Sequence, residues 1–113
     1  LRRSFLRYLE RERAHPYRPF LHYNSWYDIG FFSKYDEQAC LDVVKAYGDA
    51  LVRKRGATID SFLIDDGWDD TKSLWDFHEG LPDGFTKVKQ LAESYGAGPC
   101  VWLSPWGGYG EPR

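Results

Sequence analysis

Apolar positions follow two rhythms along the chain, helical spacing and short solid runs. Residues 1–14 place Leu1, Phe5, Tyr8 and Leu9 at helical spacing among arginines, which predicts an amphipathic lead-in helix. His15-Pro16 and Arg18-Pro19 end it, because a residue before proline is driven out of the helical region. The aromatic segment 20–27 reads as a first strand, and 28–34, with Gly30, as a loop. Residues 35–55 predict the best-defined helix, with Cys40, Val43, Val44, Tyr47 and Leu51 on one apolar face. Asp36 and Glu37 in its first turn and Arg53, Lys54 and Arg55 in its last suit the helix dipole, and Gly56 is a natural stop. A second strand is predicted over 61–66, followed by a loop over 67–84 rich in acids and aromatics. Loops of that length are uncommon in compact domains and are often functional. Asp83 is placed to cap a helix over 85–95, whose Val88, Leu91, Ala92 and Tyr95 face inwards. Gly96 and Gly98 close that helix. A third strand over 99–104 has Cys100-Val101-Trp102-Leu103 at its core, and 105–110 is again a loop.

The order is strand, helix, strand, helix, strand. The strands are almost continuously apolar instead of alternating, which predicts a parallel sheet covered by helices. The expected fold class is α/β: the first three units of a (β/α)8 barrel, a fold of roughly 250 residues when complete. A small open α/β domain is the alternative. Residues 1–19 are then a lead-in helix and linker, and 20–113 the N-terminal portion of the barrel. The ends at Leu1 and Arg113 read as those of an excised piece. Three such strands alone leave two unpaired edges, so the piece is expected to aggregate or to need the remaining barrel strands as partners.

Composition narrows the chemistry only a little. A net charge of −2 over 113 residues argues against a nucleic-acid partner. Residues 1–18 carry a local balance of +4, six arginines against Glu10 and Glu12, and read as a solvated helix face. No run of 18 apolar residues occurs, so no membrane partner is expected. Cys40 and Cys100 fall towards opposite ends of a barrel, so a disulfide is not expected, and both read as small buried hydrophobes. Five Trp and eight Tyr are heavy for an ordinary core of this size.

The most informative stretch is Phe62-Leu63-Ile64-Asp65-Asp66-Gly67-Trp68. A buried strand holds no charge cheaply, so the acids belong where the strand emerges. In a barrel every loop that follows a strand opens on the same end. That gathers 24–28, 65–70 and 104–109 into one mouth, with Trp26, Trp68 and Trp106 in the three loops. Carboxylates accept hydrogen bonds from sugar hydroxyls, and an indole covers the apolar face of a pyranose. The pattern therefore points to an oligosaccharide or glycoside. Asp65 and Asp66 would each take a hydroxyl, Asn24 would donate or accept one further bond, and Trp26, Trp68 and Trp106 would stack on the sugar or wall its pocket. His78, beside Asp76 and Glu79, is a further candidate for the mouth. Asp65, Asp66, Asp69 and Asp70 lack the spacing of a calcium loop, and no histidine pair has metal-site spacing, so no metal is expected. Ser25 and Ser104 lack a nucleophile-elbow frame, and Gly107-Gly108-Tyr109-Gly110 lacks the lysine and helix of a phosphate loop. No organic cofactor is implied.

Asn24-Ser25-Trp26, Asp65-Asp66-Gly67-Trp68, Leu81-Pro82-Asp83-Gly84-Phe85 and Val101-Trp102-Leu103 together resemble the opening of the catalytic barrel in α-galactosidase-like glycoside hydrolases. The nearest pattern is glycoside hydrolase family 36, the melibiases, with family 27 and the raffinose synthases as relatives. The order and rough spacing agree over residues 20–104. The resemblance implies a retaining exo-α-glycosidase in which Asp65 and Asp66 bind hydroxyls of the terminal sugar, with Trp26 and Trp68 near that subsite. It places the nucleophile and the acid/base aspartates on the fourth and sixth strands, beyond Arg113. This chain would then hold substrate-binding residues, no catalytic residue, and no activity alone. Where the family commonly shows W-x-E-P-E after the third strand, this chain has Trp102-Leu103-Ser104-Pro105-Trp106. A raffinose-synthase-like glycosyl transfer and a non-catalytic, carbohydrate-binding or degenerate barrel domain are the competing readings.

Overall fold

Local hydrogen bonding decides where most elements stop. A computed structural model describes residues 1–30, 34–73 and 75–104. Helix α1 (Arg2–Glu12) comes first and buries none of its residues. Its apolar positions Phe5, Leu6, Tyr8 and Leu9, and Leu1 just before it, are all exposed. The chain leaves the helix at Arg13, whose backbone is extended.

Strand β1 is His22–Asn24, much shorter than the predicted 20–27. The cause is Asn24. Its side-chain oxygen accepts the Trp26 N–H at 2.8 Å and turns Ser25–Tyr27 into a 3-10 helix. Asparagine competes with the ladder in this way at strand ends. The predicted loop 28–34 lies outside the described residues at 31–33.

Helix α2 (Glu37–Tyr47) starts at Asp36, whose carboxylate accepts the Ala39 N–H at 2.8 Å. The helical run then widens into π-helical turns over Gly48–Arg53 before stopping at Gly56, where φ is +64°. Gly48 has a packing reason. A Cβ there would stand 2.5 Å from the Tyr95 ring. The Tyr95 hydroxyl donates to Asp49 at 2.8 Å, and Lys45 and Arg53 pair with the same carboxylate. Lys45 and then Tyr95 hold the Asp49 carboxyl below its ordinary range.

Strand β2 is Ser61–Ile64, so Asp65 and Asp66 already lie beyond the strand. Helix α3 (Thr86–Ser94) matches the expected span closely, but Asp83 does not cap it. Phe85 occupies the cap position, and Asp83 instead pairs with Lys87 at 2.9 Å. Lys87 also reaches Glu37 at 2.8 Å and ties α3 to α2. Strand β3 is Gly98–Val101, and Trp102 N–H extends its ladder by one bond to the Ile64 carbonyl at 2.8 Å.

The three strands are parallel in the order β1-β2-β3, as expected of consecutive β/α units. Tyr23 pairs with Phe62, and Phe62 with Pro99. Phe62 and Ile64 are fully buried with Cys40, Val44, Val88 and Ala92 of the two helices, which also pack on each other. Alternation along the strands puts Asn24, Leu63 and Cys100 on the opposite face. Both cysteines are free thiols. Cys40 is buried, and burial pushes its thiol up to about 12. Cys100 is exposed, contrary to the expectation of a buried hydrophobe, because nothing among the described residues covers that row at β3.

Candidate functional site

The site predicted from sequence lies where the strands end. Asn24 closes β1, Asp65 and Asp66 follow β2, and Trp102 follows β3. The parallel register brings these points to one end of the sheet. All four are half-buried. Loop 105–110, and Trp106 with it, lies outside the described residues.

Asp65 is held on both its backbone polar groups. Its N–H donates to Ser25 Oγ at 2.8 Å, and its carbonyl accepts from the Tyr35 hydroxyl. Its carboxylate Oδ1 accepts the Asp66 N–H at 2.7 Å. The turn continues through Gly67 at φ +112°, a backbone region that side chains avoid. Among the described residues neither Asp65 nor Asp66 makes an ion pair. A carboxylate has about four acceptor positions. The pair therefore keeps Asp65 Oδ2 and the whole Asp66 carboxylate to offer a ligand.

Asn24 has spent its oxygen on the Trp26 amide, which leaves its NH₂ as the end that can donate. Trp26 is half-buried. Trp68 takes a different part from the expected one. It is 4% exposed, stacked on Trp75 at 5.9 Å, with Phe77 at 5.3 Å and Phe85 at 5.7 Å around it. Its indole N–H donates to the Trp102 carbonyl at 3.0 Å. No open ring face remains for a sugar. Trp68 instead fastens the 67–84 loop to the end of β3.

His78 does not open on the mouth either. It is buried, its Nδ1 accepts the Gly80 N–H at 2.9 Å, and its Nε2 lies 3.0 Å from the Tyr35 carbonyl. With Nδ1 accepting, the proton belongs on Nε2, which donates to Tyr35. Asp70 also serves the loop: its carboxylate accepts the Lys72 N–H at 3.0 Å and its carbonyl the Ser73 N–H at 3.0 Å. Asp69 is buried and bridges Phe77 across the loop. Of Asp65, Asp66, Asp69 and Asp70, Asp66 alone accepts no hydrogen bond from a described residue on either carboxylate oxygen, Asp65 and Asp70 each accept one backbone N–H on Oδ1, and Asp69 is buried. Among the described residues no three His, Cys, Asp or Glu side chains gather as a metal-ligand set. No described helix is long and apolar enough to cross a membrane.

Sequence reasoning passed over Ser25 as a structural residue and did not single out Tyr35. Ser25 is fully buried and Tyr35 is 4% exposed. Burial is the main cause that raises the Tyr35 phenol above its ordinary value, so the hydroxyl remains a donor. A serine directly after a strand-ending asparagine was a visible signal. Tyr35 left none, since a lone tyrosine ahead of a helix cap resembles any core aromatic.

The arrangement is suited to binding. Two adjacent carboxylates, an amide donor and a half-buried indole can orient a polyhydroxylated ligand. Comparison with protein-family models, curated proteins and solved structures yields no significant match.

Proposed function

We propose that this chain is the sugar-orienting part of the catalytic barrel of a retaining exo-α-glycosidase of the α-galactosidase-like kind. The observation that carries the reading is the acid pair. Asp65 and Asp66 emerge from the central strand of a sequentially ordered parallel sheet, without ion-pair partners among the described residues, beside Asn24 of the neighbouring strand. Carboxylates left uncompensated at a strand end are costly unless a ligand or water uses them.

The barrel part of the proposal draws on the sheet. Both helices cover one face, as in a barrel wall, and the Asn24, Leu63 and Cys100 row would face the interior. The helix-side row that is fully buried at Phe62 and Ile64 is exposed at its β3 partners Pro99 and Val101. A 340 Å³ groove runs there between Phe85, Thr86, Lys89 and β3. A further β/α unit would cover it as α3 covers β2.

In the parent enzyme a terminal α-linked sugar would enter with its hydroxyls on Asp65, Asp66 and Asn24, and Trp26 beside it. Bond cleavage would proceed by double displacement through an oxocarbenium-like transition state, with two carboxyls about 5–5.5 Å apart contributed by later strands. The role of this chain is orientation, which sets how often the reacting groups meet correctly. Two tests apply. Asp66→Ala in the full-length protein is expected to cut turnover of p-nitrophenyl α-galactoside by at least about tenfold, and unchanged turnover removes Asp66 from the site. Reading the coding sequence past Arg113 should show an aspartate in a K-x-D context at the next strand end. A second reading is sugar binding without turnover. Binding of the same glycoside without hydrolysis by the full-length protein would select it.

A further inference from the structure

We infer that Ser25 and Tyr35 are positioning residues that fix the acid pair for its ligand, an inference that rests on the sugar-binding reading of Asp65 and Asp66. The reason lies in what happens to the ladder. Strand β1 ends at Asn24, so it cannot supply the next backbone partner to Asp65. On the other side the ladder still runs, with Trp102 N–H on the Ile64 carbonyl at 2.8 Å. Asp65 therefore sits where one of its neighbouring strands has turned away. Two side-chain hydroxyls take the place of that strand. Ser25 Oγ accepts the Asp65 N–H at 2.8 Å, and the Tyr35 hydroxyl donates to the Asp65 carbonyl.

Both groups are locked in turn. Ser25 is fully buried, and its carbonyl accepts the Gly30 N–H at 2.7 Å. A Cβ on Gly30 would stand 3.0 Å from that carbonyl, so glycine permits the approach. The Tyr35 backbone is held by His78 Nε2 at 3.0 Å, and His78 by the Gly80 N–H at 2.9 Å. The Asp65 and Asp66 charges both act on the Tyr35 phenol. The chain His78, Tyr35, Asp65, Asp66 thus runs from the long loop to the carboxylates. Its last link is the Asp66 N–H on Asp65 Oδ1 at 2.7 Å, which sets one acid against the other. Fixing the Asp65 peptide fixes both carboxylates, which is the support a binding constellation needs from its surroundings. Neither hydroxyl touches the ligand in this scheme.

The test uses Tyr35→Phe, which removes one oxygen and keeps the ring, with Ser25→Ala beside it. Tyr95→Phe is the control, since it also removes a buried tyrosine's hydrogen bond, to Asp49, at a distance from the acids. Two quantities are read on the full-length protein: the Kd for methyl α-galactoside, and amide hydrogen exchange at Asp65 and Asp66. Tyr35→Phe is expected to weaken binding about tenfold and to speed exchange at both amides, although it touches neither N–H, a size of effect in keeping with one lost buried bond. Tyr95→Phe should change neither. Unchanged exchange in both site variants overturns the inference. So does faster exchange with unchanged affinity. Were the unmodified protein to bind no glycoside, the sugar reading would fall, and the exchange data would still decide whether the two hydroxyls hold the acid pair.

Discussion

Asp65 and Trp68 stand three positions apart in one motif and have opposite fates. The acids lie where the sequence put them, because an apolar run that ends in charge admits one physical solution, emergence from the core. Trp68 was legible only as a large aromatic at a strand end. Whether it faces a ligand or packs depends on Trp75, Phe77 and Phe85, which the loop folds back over it. Trp68→Phe should therefore lower stability through the lost bond to Trp102 and lost ring contact, by about 1–3 kcal/mol, with little change in ligand affinity. Denaturant midpoint and glycoside titration check the two halves separately. Asp60 gives a prediction in pH. The Leu21 N–H and then the Arg18 guanidinium hold its carboxyl below the ordinary range. An unfolded aspartate titrates near ~3.9. A depressed folded value means the stabilisation is complete above that pH and is lost as the pH falls through the folded value. Asp60→Asn should flatten the fall in stability below about pH 4, as urea midpoints across pH would show, and an unaltered slope would contradict the assignment.

The helices and strands differ in how readily their ends were read. Asp36 sits at the cap of α2 and bonds the Ala39 N–H, so Asp36→Ala should cost about 1 kcal/mol in thermal or chemical unfolding. Asp83 has the same chemistry in sequence and does not cap α3, because Lys87 holds it as an ion pair and Phe85 takes the cap position. Strand β1 is short for a reason carried by a single atom, the Asn24 side-chain oxygen. The apolar face of α2 was evident from spacing, whereas its π-helical turns were not. Those turns accompany the seating of Tyr95 against Gly48, a contact between residues 47 apart, and spacing within one helix holds no information about it. Gly48→Ala should drive its methyl into the Tyr95 ring and destabilise the fold by about 1–3 kcal/mol.

For the molecule as a whole, sheet order followed from the strand, helix, strand pattern, since consecutive parallel strands joined by helices are usually neighbours. What the pattern left open is the closure of the sheet. Among the described residues β1 and β3 each pair on one side, and Pro99, Cys100 and Val101 of β3 are exposed. Alone, the 113-residue chain should self-associate through these edges, which analytical ultracentrifugation would show as oligomers. The proposed barrel would open a mouth at the strand ends that carry Asp65 and Asp66. The most direct test is a crystal structure of the full-length protein with methyl α-galactoside bound. Ligand hydroxyls are expected about 2.5–3.0 Å from Asp65 Oδ2 and the Asp66 carboxylate, with the Asn24 amide at the same sugar. A sugar bound elsewhere, with water alone on both carboxylates, would contradict that placement.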